Sequence, residues 1–257
     1  LARLNARIVL PARNPELAAE VCAQIQRQSG NVHIETISCE LASFASIMKF
    51  AQAFRERYDR LDILVNNAGI MERARRVSRD GIELTWAVNH LAPFLMTKLL
   101  LPLMQTNATP ENPARIVTVS SEVHRSGKIN FEDLEGKRKF NGFLAYGQSK
   151  LANILFTKQL ATLLPAENIT ATALHPGVVA TNIFKIIPPP FRLLAKLFML
   201  SPEQGAATSI YLASSEEVRG VSGEYFNKKK AVQPSLQAQD AELAARLWQV
   251  SEEYLSV

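Results

Sequence analysis

The 257-residue chain predicts an α/β fold, a doubly wound parallel sheet with helices on both faces, and three features of the sequence predict it. Short runs rich in β-branched and aliphatic residues lie at 7–10, 32–37, 61–65, 115–119, 170–174 and 223–226. Between them, apolar residues recur at spacings of three and four, the period of a helix packed on one face. Regular alternation of the two kinds requires parallel strands joined by crossovers. No linker-like composition, internal repeat or low-complexity tract interrupts residues 1–257, which we read as a single domain.

Residues 1–5 read as the last turn of a helix, followed by the first strand at 7–10. Asn14 ahead of Pro15 is a helix start, with a capping side chain and a proline whose missing N–H costs nothing there. That helix should run to about Ser29 and end at Gly30. After the strand at 32–37, Ser43 caps a helix whose Phe44, Ile47, Met48, Ala51 and Phe54 share one face, ending near Tyr58. The third strand, 61–65, leads to a helix from Gly81 to about Thr106 with Leu84, Val88, Leu91, Leu95 and Leu99 as its inward stripe. The run 115–119 has the composition of a strand buried on both faces. A long helix carrying Tyr146 and Lys150 then extends to about Leu164, followed by the strand 170–174, a helix 202–214, a short strand 223–226 and an amphipathic helix 238–254.

A hydrophobic content of 47% supplies one large core. The net charge of +5 collects in three clusters, Arg73, Arg75, Arg76 and Arg79, then Lys137, Arg138 and Lys139, then Lys228, Lys229 and Lys230. No aromatic residues interleave with them on a recognisable module, so we read them as solvated loops and expect no nucleic-acid partner. The apolar stretches 91–104 and 183–200 are interrupted by Lys98, Pro102, Lys185, Arg192 and Lys196, and neither reads as a membrane span. Cys22 and Cys39 show no metal or disulfide spacing and read as buried hydrophobes, in keeping with a reducing compartment. With no signal-peptide pattern, the expected location is the cytoplasm. His90, His124 and His175 lack the clustered carboxylates or cysteines of a metal site.

In a doubly wound sheet, ligands bind beyond the carboxyl ends of the strands. Those ends carry Arg13, then Glu40 and Leu41, then Asn66-Asn67-Ala68-Gly69, then Ser120-Ser121, then His175-Pro176-Gly177-Val178-Val179. Small residues at Ala68, Gly69 and Gly177 would let backbone approach a flat dinucleotide closely. Tyr146 and Lys150 are four apart and share a helix face. A cation about 5 Å from a phenol is worth roughly 3 kcal/mol at an effective dielectric of about 20. That predicts a tyrosine titrating well below its free value of about 10, hence a proton-transfer device.

Asn-Asn-Ala-Gly after a strand, Asn89 on the next helix, Ser121 at the end of the following strand, Tyr146-x-x-x-Lys150 and Pro176-Gly177 together resemble the short-chain dehydrogenase/reductase family, with its Rossmann-like fold. More narrowly, residues 146–156, His175-Pro176-Gly177-Val178-Val179 and the closing Arg246-Leu247-Trp248 with Ser251-Glu252 are similar to the retinol dehydrogenase branch and the dehydrogenase part of the WW-domain oxidoreductase. The resemblance implies that Tyr146 is the general acid or base, that Lys150 lowers its pKa and bonds the nicotinamide ribose, and that Asn89 anchors a relay water. Ser121 would hold the substrate oxygen, with Ser120 an alternative. Asn66, Ala68, Gly69, Pro176 and Gly177 would line the nucleotide, Glu40 and Leu41 the adenine, Val179 the carboxamide and Thr181 the pyrophosphate. Arg13 stands where an acidic residue would select NAD(H), which favours NADP(H). Residues 182–201 would lie over the substrate. Their apolar composition suggests a lipophilic alcohol and its aldehyde or ketone, such as a retinoid, steroid or long-chain aldehyde, and equally suits packing or docking against a membrane. The resemblance also implies a homodimer paired through the helices at 81–106 and 145–164.

One departure from the family pattern bears on all of this. A Thr-Gly-x-x-x-Gly-x-Gly loop and the strand before it have no counterpart ahead of Arg13, so we expect an N-terminally truncated domain. Without that strand, the two strands preceding Asn66 lose the neighbour joining them to the rest of the sheet. A membrane anchor, placing the protein on a cytosolic membrane face, would belong to the same lost segment. The alternative reading is a non-catalytic scaffold or remnant that binds a nucleotide or a protein partner.

Overall fold

The structure is a computed structural model describing residues 1–164, 168–177 and 200–255. Seven strands form, β1 (Ile8–Ala12), β2 (Ile34–Ser38), β3 (Ile63–Asn66), β4 (Ala114–Val119), β5 (Ile169–His175), β6 (Tyr225–Asn227) and β7 (Lys230–Ala231). Strands β1 and β2 pair in parallel as a two-stranded sheet, while the second sheet runs β3-β4-β5-β6-β7. Its first four strands are parallel and β7 is antiparallel to β6. The break expected before Asn66 is therefore present, because among the described residues no strand bridges β1 and β3. Register in the larger sheet places Asn66 opposite Thr118 and Val119 opposite Leu174, so the strands end together on one edge.

The helices begin where their capping residues dictate. Asn14 Oδ1 accepts from Leu17 N at 2.9 Å to start α1 (Pro15–Ser29), and Gly30 ends it at φ 73°. Ser43 caps α2 (Phe44–Arg57). The third helix, α3 (Leu84–Asn107), starts at Glu83, whose carboxylate accepts from the amides of Thr85 and Trp86. It contains a π-helical turn at Ala87–Leu91. Helices α4 (Gly142–Leu163), α5 (Pro202–Ser214) and α6 (Ala241–Leu255) complete the set, with Ser201 and Gln204 forming a reciprocal capping box at α5.

From Thr85 to Thr97 every residue of α3 is buried, a wider burial than the one-sided stripe read from spacing. This helix is long and apolar enough to span a membrane, but 72% of its most apolar window is buried inside the protein, as befits a core helix. Its Leu95, Met96 and Leu100 pack with Ile37, Phe50 and Phe54, tying the two-stranded sheet to the body.

Two further features bear on the sequence reading. The cluster Lys228 to Lys230 is the turn of the β6-β7 hairpin, with Lys228 and Lys229 both in the left-handed region at φ 50° and 63°. On α3 and α4, the helices expected to pair two copies, the chain's own α6 packs against Phe94 and Phe156. Trp248 stacks on Phe156 at 5.9 Å and meets Phe94 edge-on at 4.7 Å.

Candidate active site

Four elements converge beyond the ends of β3, β4 and β5. Lys150, from the interior face of α4, is almost fully buried and donates from Nζ to the Val119 carbonyl at 2.9 Å. The same Nζ lies 5.6 Å from the centre of the Tyr146 ring. Burial alone lowers the Lys150 pKa to about 8. Tyr146 is buried and shares a side-chain hydrogen bond with Ser121. Burial pushes its phenol up, and the bond from Ser121 offsets only part of that. This corrects the expectation of a depressed tyrosine, which came from charge alone. An ammonium drawn out of water holds its proton less firmly and has less charge to lend, while the phenolate suffers the same desolvation.

The two serines after β4 are used differently. Ser120 is buried, and its hydroxyl donates to the Lys150 carbonyl at 2.6 Å. Ser121 caps a 3-10 turn (Glu122–Ser126), its Oγ 3.3 Å from Val123 N, and is half-exposed beside Tyr146. The backbone of Ser121 is fixed by His124, whose Nδ1 is 2.7 Å from its carbonyl and whose Nε2 accepts from Ser235 N at 3.1 Å. With Nε2 an acceptor, the proton sits on Nδ1. Below this turn, Gly127 and Gly147 meet backbone to backbone, and a Cβ on Gly127 would overlap the Gly147 carbonyl. Spacing alone did not single out His124 or these glycines. A glycine one residue after Tyr146 in a helix was the available signal, since glycine there costs about 1 kcal/mol against alanine and needs a packing reason.

Asn89 sits in the π-helical turn and is completely buried. Its Oδ1 accepts from Ile70 N at 2.7 Å, and Nδ2 donates to the Ile70 carbonyl at 2.8 Å and to Ser149 Oγ at 3.0 Å. Both amide hydrogens are therefore taken by protein, and the side chain clasps the loop after β3 onto α4. Asn66 donates to Thr97 Oγ1 at 3.2 Å, which holds the start of that loop against α3. Ala68 is exposed, and Gly69 lies so close to Lys150 that a Cβ there would be 3.2 Å from Nζ. Pro176 and Gly177 follow β5, with Gly177 at φ 86°. Val179, Thr181 and residues 182–199 lie outside the described residues.

On the two-stranded sheet, Arg13 extends into solvent after β1 and pairs at 3.9 Å with Glu40, which follows β2. Glu40 also accepts from the amide of Ala42 at 3.1 Å, beside half-buried Leu41. A nicotinamide dinucleotide fits this set of groups. The exposed guanidinium suits a phosphate and the buried Lys150 suits a ribose hydroxyl, whereas the side-chain-free edges of Gly69 and Gly177 face Lys150 and Leu200 of the chain itself.

These features lie together at one edge of a doubly wound sheet, and comparison with known proteins shows the family. The description of the short chain dehydrogenase family matches residues 1–189, and the chain belongs to that family. It is by membership an oxidoreductase acting on CH–OH groups. Human retinol dehydrogenase 14 is 40% identical, the match covering 98% of this chain and 80% of the relative. Human polyprenol dehydrogenase is 37% identical across 100% of this chain and 80% of its own length. Among solved structures, an uncharacterised protein from Mycobacterium paratuberculosis superposes with a TM-score of 0.78 at 32% identity, covering 100% of this chain and 87% of that one. The RhlG/NADP active-site complex from Pseudomonas aeruginosa gives 0.71 at 26% identity, covering 95% and 90%.

Proposed function

We propose that the protein, as one domain over residues 1–257, interconverts a lipophilic alcohol and its aldehyde or ketone with NADP(H). The observation that carries this reading is the contact of Tyr146 with Ser121 above a buried Lys150. When bound, the nucleotide supplies or accepts the hydride. Tyr146 gives its proton to the carbonyl oxygen in reduction or takes it from the alcohol in oxidation. Ser121 donates to the same oxygen, a contact that strengthens as negative charge develops there. Lys150 holds its ammonium against the Val119 carbonyl and toward the ribose. Since its proton is weakly held, it is also suited to pass protons on to Tyr146. Asn89 keeps the loop after β3 in place, and any bound relay water would use its backbone carbonyl.

Arg13 supports NADP(H) over NAD(H), because a guanidinium pairs with a 2′-phosphate bidentately. In this reading Glu40 and Leu41 would contact the adenine, and Asn66, Ala68, Gly69, Pro176 and Gly177 the rest of the nucleotide; Val179 and Thr181, assigned to it by the sequence pattern, lie outside the described residues. The lipophilic substrate class rests on the apolar composition of residues 182–201 and on relatives named for retinol and polyprenol. The same stretch is suited to approach a membrane surface. Tyr146→Phe tests the reading. Titration with NADPH should give an unchanged dissociation constant while reduction of retinal or a long-chain aldehyde falls by a factor on the order of 100 or more. Turnover that survives the substitution would remove Tyr146 from the acid/base role.

A further inference from the structure

The residue after Ser121 is an acid that the chemistry above does not use. Glu122 opens the 3-10 turn (Glu122–Ser126), and its half-buried carboxylate serves two directions. Oε1 accepts from the Tyr225 hydroxyl at 2.9 Å and from Asn227 Nδ2 at 3.4 Å, both on β6. Oε2 accepts from Arg125 Nε at 2.8 Å, and the same guanidinium donates from Nη2 to the Gln233 carbonyl at 3.0 Å. Burial would push the Glu122 carboxyl up, and the bonds from Arg125 and Tyr225 outweigh it. An ionised carboxylate only accepts, so the Tyr225 hydroxyl hydrogen is committed to Glu122. The backbone of Glu122 is engaged as well, its N–H donating to His175 Nδ1 at the end of β5, at 3.4 Å.

The rest of the turn is held from other sides. His124 joins the Ser121 carbonyl to the amide of Ser235, and the Tyr225 ring meets the imidazole edge-on at 5.0 Å. Beneath, Gly127 lies backbone to backbone on Gly147 of α4. A single 3-10 turn has poor internal hydrogen-bond geometry, so its shape depends on these attachments. Within it, Val123 N donates to Ser121 Oγ at 3.3 Å. With that amide on one side of the oxygen, the hydroxyl hydrogen is directed to the other, away from the turn, which is the polarity of a donor to a substrate oxygen.

We propose that Glu122 is a positioning residue for Ser121. By bridging Tyr225 on β6 to Arg125 within the turn, its carboxylate holds the Val123 amide where that amide orients the Ser121 hydroxyl. The proposal deepens the reading of Ser121 given above and rests on it. It also gives the β6-β7 hairpin and residues 233–235 a place at the site, as the support behind the serine, joined to it through Glu122, Arg125 and His124.

Two variants loosen the bridge without emptying the space it fills. Tyr225→Phe removes one donor and keeps the ring against His124. Glu122→Gln keeps the shape, but a single amide oxygen cannot accept from Tyr225 and Arg125 together. Hydrogen exchange at the Val123 amide reads the turn directly, and it should quicken by roughly tenfold or more in both variants, with Val117 of β4 unchanged. Unaltered exchange at Val123 would overturn the proposal. The second readout is reduction of retinal by NADPH. Each variant should lower kcat by a factor on the order of 10, with KM and the NADPH dissociation constant nearly constant, and should cost nothing further in a Ser121→Ala background. Equal losses in both backgrounds would mean that Glu122 supports the fold in general, and would sink the idea. Should either variant fail to fold, the other carries both readouts. Full turnover by Ser121→Ala would defeat the reaction reading of that serine, whereas the exchange rates decide by themselves whether Glu122 holds the turn.

Discussion

Strands β1 and β4 look alike as sequence and live in different surroundings. Ile8, Val9 and Leu10 of β1 are only half-buried, whereas all six residues of β4 are buried. Apolar composition records what a strand would bury given neighbours on both edges, and β1 has one neighbour, β2. The site divides along the same line. Tyr146, Lys150, Asn89 and Ser121 hang from the five-stranded body and its covering helices. Arg13 and Glu40, which we assign to cofactor choice, stand at the end of the exposed pair of strands. The groups we assign to proton transfer are fixed by packing, and those we assign to nucleotide choice are peripheral.

The widest gap between the two regions should be in stability. Ile116→Ala removes a fully buried side chain from β4 and should cost on the order of 4 kcal/mol. The matching Ile8→Ala, from a half-buried site, should cost about 1–2 kcal/mol. Urea denaturation of the pair measures both, and equal costs would mean that β1 is enclosed in solution as tightly as β4.

The next effect is confined to the body and depends on pH. His90 has a folded-state pKa near 3, against 6.5 for an ordinary histidine. The unfolded chain therefore binds the extra proton first, and stability is complete above about pH 6.5 and declines as pH falls toward 3. At about pH 4.5 the loss from this group should be roughly 2–3 kcal/mol. Urea midpoints across that range should fall less steeply in His90→Asn than in the unaltered protein, and parallel slopes would show that His90 is not the buried neutral group described.

Legibility followed the same division between local and tertiary causes. Asn14, Ser43, Gly30 and the Pro202 helix start were readable because each acts on backbone within a few residues, and the observed caps match them. The break between β2 and β3 was readable from the family pattern. The π-helical turn was not, since one extra residue in a uniformly apolar helix leaves the periodicity of Leu84 to Leu99 almost unchanged. The β6-β7 hairpin was hidden because left-handed Lys228 and Lys229 replace the usual glycine or asparagine signal. The tyrosine pKa was misjudged because spacing shows which charge is near and cannot show how far both groups are removed from water. His124, Gly127 and Gly147 act through contacts between β4, the turn after it and α4, which exist only in three dimensions.

The smallest structural effect should come from Arg13, and there the contrast is sharpest. Its guanidinium is mostly in solvent and its ion pair with Glu40 is long at 3.9 Å, so Arg13→Ala should change stability by less than about 0.5 kcal/mol. A charge-assisted contact to the 2′-phosphate is worth roughly 1.5–3 kcal/mol, equivalent to a rise of about 10- to 100-fold in the NADPH dissociation constant. Binding of NADH, which lacks that phosphate, should hardly move. Arg13→Asp should go further and favour NADH, because a carboxylate repels the phosphate and can accept from the ribose hydroxyls. Parallel titrations with the two nucleotides separate these outcomes. Equal weakening of both would mean that Arg13 supports the loop after β1 in general, and that nucleotide choice is made on the five-stranded body after all.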